Sequence, residues 1–315
     1  MKTNQRLSKI FLAMALTGAA SYTLAADTIR IGLAGPVTGP VAQYGDMQFI
    51  GAEMAIEQIN KAGGVNGQQL EGVRYDDACD PKQAVAVANK IVNDEVQFVV
   101  GLDSLQGPTA GNFIADHVKP KNVAVIHDKQ QYGEGIATAV KQTLESKNIK
   151  VGLFEGINAG DKDFSSLIAK LKREGVDFVY YGGYHPELGL LLRQEGVGNS
   201  EISAIAGPAS EGMYVTLPKS FDQDPRNKEL VDGFKAKKQD PSGPFVFPAY
   251  AAVQVIAEGI EKAGSTDTAK VAEALRSNTF DTPTGMLSFD EKGDLKDFNF
   301  VVYEWHQDGT KTEAK

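Results

Sequence analysis

The chain has 315 residues, 42% of them hydrophobic and 23% charged, the balance of a globular protein with a real core, at a length that allows one or two domains. Its formal net charge is −9, and −12 once the N-terminal cations Lys2, Arg6 and Lys9 are set aside. A chain this acidic, with no basic patch, excludes nucleic acid and anionic membrane surfaces as partners.

Those three cations precede an apolar run from Ile10 to Ala20 and the small-residue site Thr23-Leu24-Ala25. This is the order of an export leader, with cleavage expected after Ala25 and export of the product. The run is too short for a permanent anchor, and no later stretch reads as transmembrane. Thr28 to Leu33 then alternates as a strand and ends in Ala34-Gly35-Pro36. Apolar residues at Phe49, Ala52, Ile56 and Ile59 predict a helix over Asp46 to Asn60. Gly63 to Gly67 is a turn, Leu70 to Tyr75 a strand, Pro81 the opening of a helix, and Phe98 to Gly101 a buried strand. The rhythm continues with a helix over Gly107 to Val118 and a strand over Val123 to Ile126. A helix after Gly133, a strand over Val151 to Phe154, a helix over Phe164 to Arg173 and a strand over Phe178 to Tyr181 follow.

Beyond Gly196 the alternation weakens. Pro225 to Lys238, Phe247 to Lys262 and Asp267 to Ser277 read as helices, and Phe298 to Trp305 as a closing strand. Strands alternating with helices imply parallel sheets covered on both faces, and two α/β units joined by short hinges fit better than one large sheet.

No catalytic pattern emerges. Gly133-Glu134-Gly135 lacks the third glycine of a dinucleotide fingerprint, Gly156 to Lys162 lacks the Gly-Lys-Ser/Thr ending of a phosphate loop, and no nucleophile elbow is present. His117, His127, His185 and His306 show no metal-ligand spacing, so no metal or cofactor is expected. His127-Asp128 ends a strand and reads either as a site pair or, more simply, as local hydrogen bonding. The single cysteine, Cys79, is either a harmless half-buried thiol or the survivor of a lost pair. Three loops at strand-to-helix positions stand out: Gly35 to Asp46, whose N–H groups near a helix start suit a carboxylate or anion; Gly182 to Glu187; and Glu195 to Asn199. In open α/β sheets ligands bind beyond the carboxyl ends of the strands, where such loops lie, although their glycines also serve simply to turn the chain.

Gly39-Pro40-Val41-Ala42-Gln43-Tyr44-Gly45-Asp46, the stretch Tyr75 to Lys90, and His127-Asp128-Lys129-Gln130-Gln131-Tyr132-Gly133-Glu134-Gly135 are highly specific strings. So are Tyr180 to Glu187, Gln239-Asp240-Pro241-Ser242-Gly243 and Asp290 to Lys296. Together they resemble, from leader to Lys315, the periplasmic leucine/isoleucine/valine(-alanine/threonine)-binding proteins of branched-chain amino-acid ABC importers, in their pseudomonad form. The resemblance implies a two-lobed α/β fold of the type I periplasmic binding proteins with three hinge crossings. Lobe one would hold residues 26–101 and 220–300, and lobe two 102–219 and 301–315. It further implies a monomer that captures a branched-chain amino acid, catalyses nothing, and delivers its ligand to inner-membrane permease subunits. Matched by motif, Tyr44, Tyr132, Tyr184 and Phe245 would wall the aliphatic side chain and Glu195 would pair with the ligand's ammonium.

The chain departs from that pattern twice. After Val99-Val100-Gly101 the family carries a further stretch on the order of forty residues, more than one βαβ unit of ~30, and with it the partner of Cys79 and the hydroxyls that grip the ligand's charged ends. Here Gly101 runs straight into Leu102. A second gap of roughly a dozen residues, enough for a strand of ~5–6 residues and its connection, falls between Gln194 and Glu195. Lobe one is therefore expected to be incomplete, with bare strand edges, Cys79 unpaired and binding weakened. The alternative is a sensory or scaffold relative that docks on membrane partners without capturing an amino acid.

Overall fold

The computed structural model describes residues 28–39, 41–101, 106–195, 211–296 and 300–314, except for the side chains of 81 and 193–195. The expected leader and its cleavage point lie outside the described residues.

The first unit is a parallel sheet of order β2-β1-β3, built from β1 (Ile29–Gly35), β2 (Leu70–Asp76) and β3 (Phe98–Val100). Helix α1 (Ala42–Lys61) covers one face together with two helices from much later in the chain, which we number α8 (Val246–Ala263) and α9 (Thr268–Ser277). The core there joins Ile31, Leu33, Phe49 and Ala52 to Val253, Ile260 and Val271. Close packing of α1 on α8 depends on Gly51, where a Cβ would stand 2.0 Å from the Val246 carbonyl oxygen. Inside this core Gln48 is fully buried, and its amide donates to the carbonyls of Ala34 and Val100, tying the ends of β1 and β3 to the helix. Helix α2 (Pro81–Asn93), capped by Asp80 through the N–H groups of Lys82 and Gln83, lies on the other face and packs its Val87 and Ile91 with Val73, Tyr75 and Val96.

The bareness expected of this lobe is visible. Among the described strands β3 pairs with β1 alone, and Val85 and Val92 on α2 and Val99 on β3 are exposed.

The second unit has the parallel order β5-β4-β6, from β4 (Val123–His127), β5 (Val151–Gly156) and β6 (Phe178–Gly182). Every residue of β4 is buried because both faces are covered, and successive side chains serve opposite faces. Val123 and Val125 meet α3 (Gln106–Phe113) and α4 (Gln131–Ser146). Ala124 and Ile126 meet α5 (Ser165–Arg173) and α6 (His185–Glu195). The expected helix over 107–118 is α3 followed by a wider π turn, Ile114–Val118, ended by Lys119 in a left-handed conformation.

The C-terminal third holds what the rhythm of the sequence did not announce. Strand β7 (Met213–Pro218) pairs antiparallel with β10 (Phe300–Trp305), which also pairs with β11 (Lys311–Glu313), while β8 (Thr279–Thr282) and β9 (Gly285–Ser288) form a hairpin. The helix expected from Pro225 begins later, as α7 (Lys228–Ala236). The Asp224 side chain takes the Arg226 N–H and sets up a single tight turn first. No helix among the described residues is long and apolar enough to cross a membrane.

Candidate functional site

Segments that follow strands of the two parallel sheets meet, with Tyr44 touching Tyr184 and His185, and the expected aromatic residues all stand at or just before helix starts. Tyr44 lies in the first turn of α1, Tyr132 in the first turn of α4, Tyr184 just before α6, and Phe245 at the N-cap of α8. Gly45 lets α1 start against the end of β1, since a Cβ there would stand 1.9 Å from the Pro36 carbonyl oxygen. The four rings form one continuous chain of contacts. Tyr132 and Tyr184 stack with centroids 5.5 Å apart, Tyr44 lies 5.9 Å from Tyr184, and Phe245 meets Tyr44 edge-on at 5.9 Å. All four line a cavity of about 560 Å³, within the size range of small-molecule sites.

Polar groups fix these rings. The Tyr184 hydroxyl donates to Cys79 Sγ at 3.4 Å, Tyr44 Oη lies 3.2 Å from His185 Nδ1, and the Gln43 amide is 3.4 Å from the same ring. Tyr44 and Gln43 come from the first unit and His185 from the second, so this cluster joins the two across the cleft. The Tyr132 hydroxyl donates to Gln106 Oε1, and Gln106 Nε2 donates in turn to the Thr216 carbonyl of β7. Burial pushes the phenols of Tyr132 and Tyr184 well above their ordinary value, so both remain neutral donors. Burial likewise raises the half-buried Cys79 thiol, which has no other cysteine in the chain to pair with.

Asp128 is buried at the end of β4. Its Oδ1 accepts the Gln130 N–H at 2.9 Å, and the His127 ring accepts the Lys129 N–H at 3.2 Å. This is the local hydrogen bonding that the sequence offered as the simpler reading of the pair. Burial first, then the Glu187 carboxylate, raises the Asp128 carboxyl to about 6.

One expectation meets a different arrangement. The anion seat of the loop from Gly35 is occupied by the chain itself. Asp76 Oδ1 accepts the N–H groups of Val37 and Thr38 at 2.9 and 3.3 Å, Thr38 Oγ1 donates to Asp76 Oδ2 at 2.6 Å, and the Thr38 hydroxyl leads in holding this carboxyl below its ordinary value. Glu195 is the last residue of α6, and its side chain lies outside the described residues, as does the whole Gly196 to Asn199 turn. Gln106 carried no signal in the sequence; only the fold brings its amide between Tyr132 and β7. Among the described residues no group of three or more His, Cys, Asp or Glu could hold a metal ion.

The chain matches the periplasmic binding protein family in two pieces, residues 28–106 and 102–310, which overlap where the first gap was expected. It is 63% identical to the leucine-, isoleucine-, valine-, threonine- and alanine-binding protein of Pseudomonas aeruginosa over 371 aligned positions that take in the whole of both chains. With 315 residues here, 56 of those positions have no residue from this chain. The Leu/Ile/Val-binding protein of Escherichia coli K12 is 47% identical over 364 positions, covering 98% of this chain and 99% of the relative. In three dimensions the crystal structure of a leucine binding protein from Thermotoga maritima superposes with a TM-score of 0.79 at 22% identity, covering 91% of this chain and 98% of that one.

Proposed function

Because the chain belongs to the periplasmic binding protein family, we propose that it is the solute-binding component of a branched-chain amino-acid ABC importer. In this reading a leader is removed after Ala25, and the chain captures leucine, isoleucine or valine as a monomer and hands it to inner-membrane permease subunits. The observation that carries the reading is the meeting of Tyr44, Tyr132, Tyr184 and Phe245 from four separate segments around one cavity. Such a wall suits an aliphatic side chain, whose burial favours binding by about 1.5–3 kcal/mol. The lobes are 26–101 with 220–300, and 102–219 with 301–315. That division fits the core that joins the first sheet to α8 and α9 and the pairing of β7 with β10.

Capture by this chain is weak. The rings touch one another, so a ligand must part the Tyr44–Tyr184 and Tyr132–Tyr184 contacts, and the groups that would hold the ligand's charged ends are short. Glu195 remains as partner of the ammonium, without the strand that aims it. Losing about three charge-assisted hydrogen bonds, at ~1.5–3 kcal/mol each, weakens binding by at least about a thousandfold relative to a full-length relative. Isothermal titration of the mature chain with leucine tests this: millimolar or weaker binding is expected, and micromolar binding refutes it. Inserting both absent stretches should restore tight binding, which Glu195→Ala should then abolish. If the restored chain binds no branched-chain amino acid, the proposed ligand class is wrong and a scaffold role without capture takes its place.

A further inference from the structure

The cavity does not end at the aromatic rings. It runs on between β6 and β7, where it is lined by consecutive residues of both segments, 177–181 and 212–217. A strand whose face borders a cavity contributes every second residue; one that contributes every residue turns its edge to it. Among the described strands β6 pairs with β4 alone and β7 with β10 alone, so each has one edge that no described strand pairs. The polarity of β7 can be read directly. The Val302 carbonyl accepts the N–H of Ala314, on the β11 side of β10. Val302 therefore turns its peptide groups away from β7, and its partner Thr216 turns its own away from β10. There the Thr216 carbonyl receives the Gln106 amide, a side chain standing in for a neighbouring backbone N–H. Apolar helix residues close the space on both sides, Phe113 from α3 and Leu191 from α6.

We propose that this space is a receptor for one extended peptide strand, which would enter between β6 and β7, pair with both edges and bury apolar side chains toward α3 and α6. Two unpaired edges call for backbone donors and acceptors on both sides of the occupant, which an apolar small molecule cannot offer. Two apolar faces call for a continuous apolar run rather than an alternating one. The lengths of β6 and β7 set the run at about five or six residues. The site stands independently of amino-acid capture, because none of its edge groups belongs to the aromatic wall, and Gln106 is the link between the two.

The test uses the full mature chain and a synthetic peptide with six valine and isoleucine residues between lysine pairs. A second peptide of the same sequence carries N-methyl groups on alternate core residues, which removes the donors along one edge. The first peptide should bind saturably and slow amide exchange about tenfold or more in segments 177–182 and 213–218, while N-methylation should weaken binding by about tenfold or more. Gln106→Ala, by freeing the Thr216 carbonyl, should tighten binding severalfold. Equal binding of the two peptides would show a greasy groove rather than a strand slot and overturn the proposal. So would no binding, or full exchange protection of both segments before peptide is added, which would mean that this chain or a second copy already fills the place.

Discussion

Asp128→Asn should stabilise the folded chain at neutral pH, and the gain should vanish in acid. The carboxyl is almost fully buried at the end of β4, beside Gly183. A Cβ on that glycine would stand 2.8 Å from Asp128 Oδ2 and 2.6 Å from the hydroxyl of Tyr181, which has no hydrogen-bond partner among the described residues. Burial, reinforced by Glu187, raises the folded-state value from 3.8 to about 6. At pH 7 the folded chain thus holds an ionised carboxylate away from water, whereas the unfolded chain keeps it solvated. Between about 4 and 6 the folded state binds more protons than the unfolded state, so this group's contribution to stability falls as pH rises through that window and is least favourable above it. The span corresponds to at most about 3 kcal/mol, at 1.36 kcal/mol per unit. Asparagine keeps an oxygen for the Gln130 N–H and removes the charge. Urea unfolding of both proteins from pH 4 to pH 8 isolates the effect, because titration of the other carboxylates cancels in the difference. The variant should be more stable by about 2–3 kcal/mol at pH 7 and nearly equal at pH 4. A difference that does not change with pH, or a variant less stable at pH 7, refutes the reasoning.

Cys79 should titrate as one free thiol per unfolded chain, and in the folded protein it should react with a disulfide reagent about tenfold or more slowly, since burial raises it and Tyr184 sits on its sulfur. Fast reaction in the native state would contradict that placement. Gln48→Leu strands the Ala34 and Val100 carbonyls in the core and should cost about 2–4 kcal/mol by urea unfolding, at roughly 1–3 for each unsatisfied group. Gly51→Ala drives a Cβ into the Val246 carbonyl and should lower stability by about 1–3 kcal/mol. Gly135→Ala, in open space on α4, should instead gain up to ~1 kcal/mol, and equal effects at the two glycines would rule out the close approach of α1 to α8. Scanning calorimetry should place the melting temperature below that of a full-length relative, because β3 and α2 leave Val85, Val92 and Val99 in water.

The sequence by itself determined the alternation of strand and helix, the parallel sheets and the candidate aromatic wall. Each of these is written locally. Period-two and period-3.6 apolar patterns mark the faces of β1 and α1, and in an open α/β sheet the residues just after strand ends are those placed at the cleft. Tyr44, Tyr132, Tyr184 and Phe245 could be named before their contacts were known because their motifs match those of the family that the chain resembles. The two gaps were legible too, as motifs that follow one another without the residues expected between them. Tertiary structure alone decided which groups the site has to spare. The N–H groups of the Gly35 loop read as an anion seat until β2 packed beside β1 and brought Asp76 into it. Gln106 is an ordinary helix-start residue until α3 lies against β7, and the short strands β7 to β11 make sense only through antiparallel partners, which for β7 and β10 lie some eighty residues apart. Whether a donor or an edge is used or left open depends on what arrives beside it from elsewhere in the chain, and no local pattern records that.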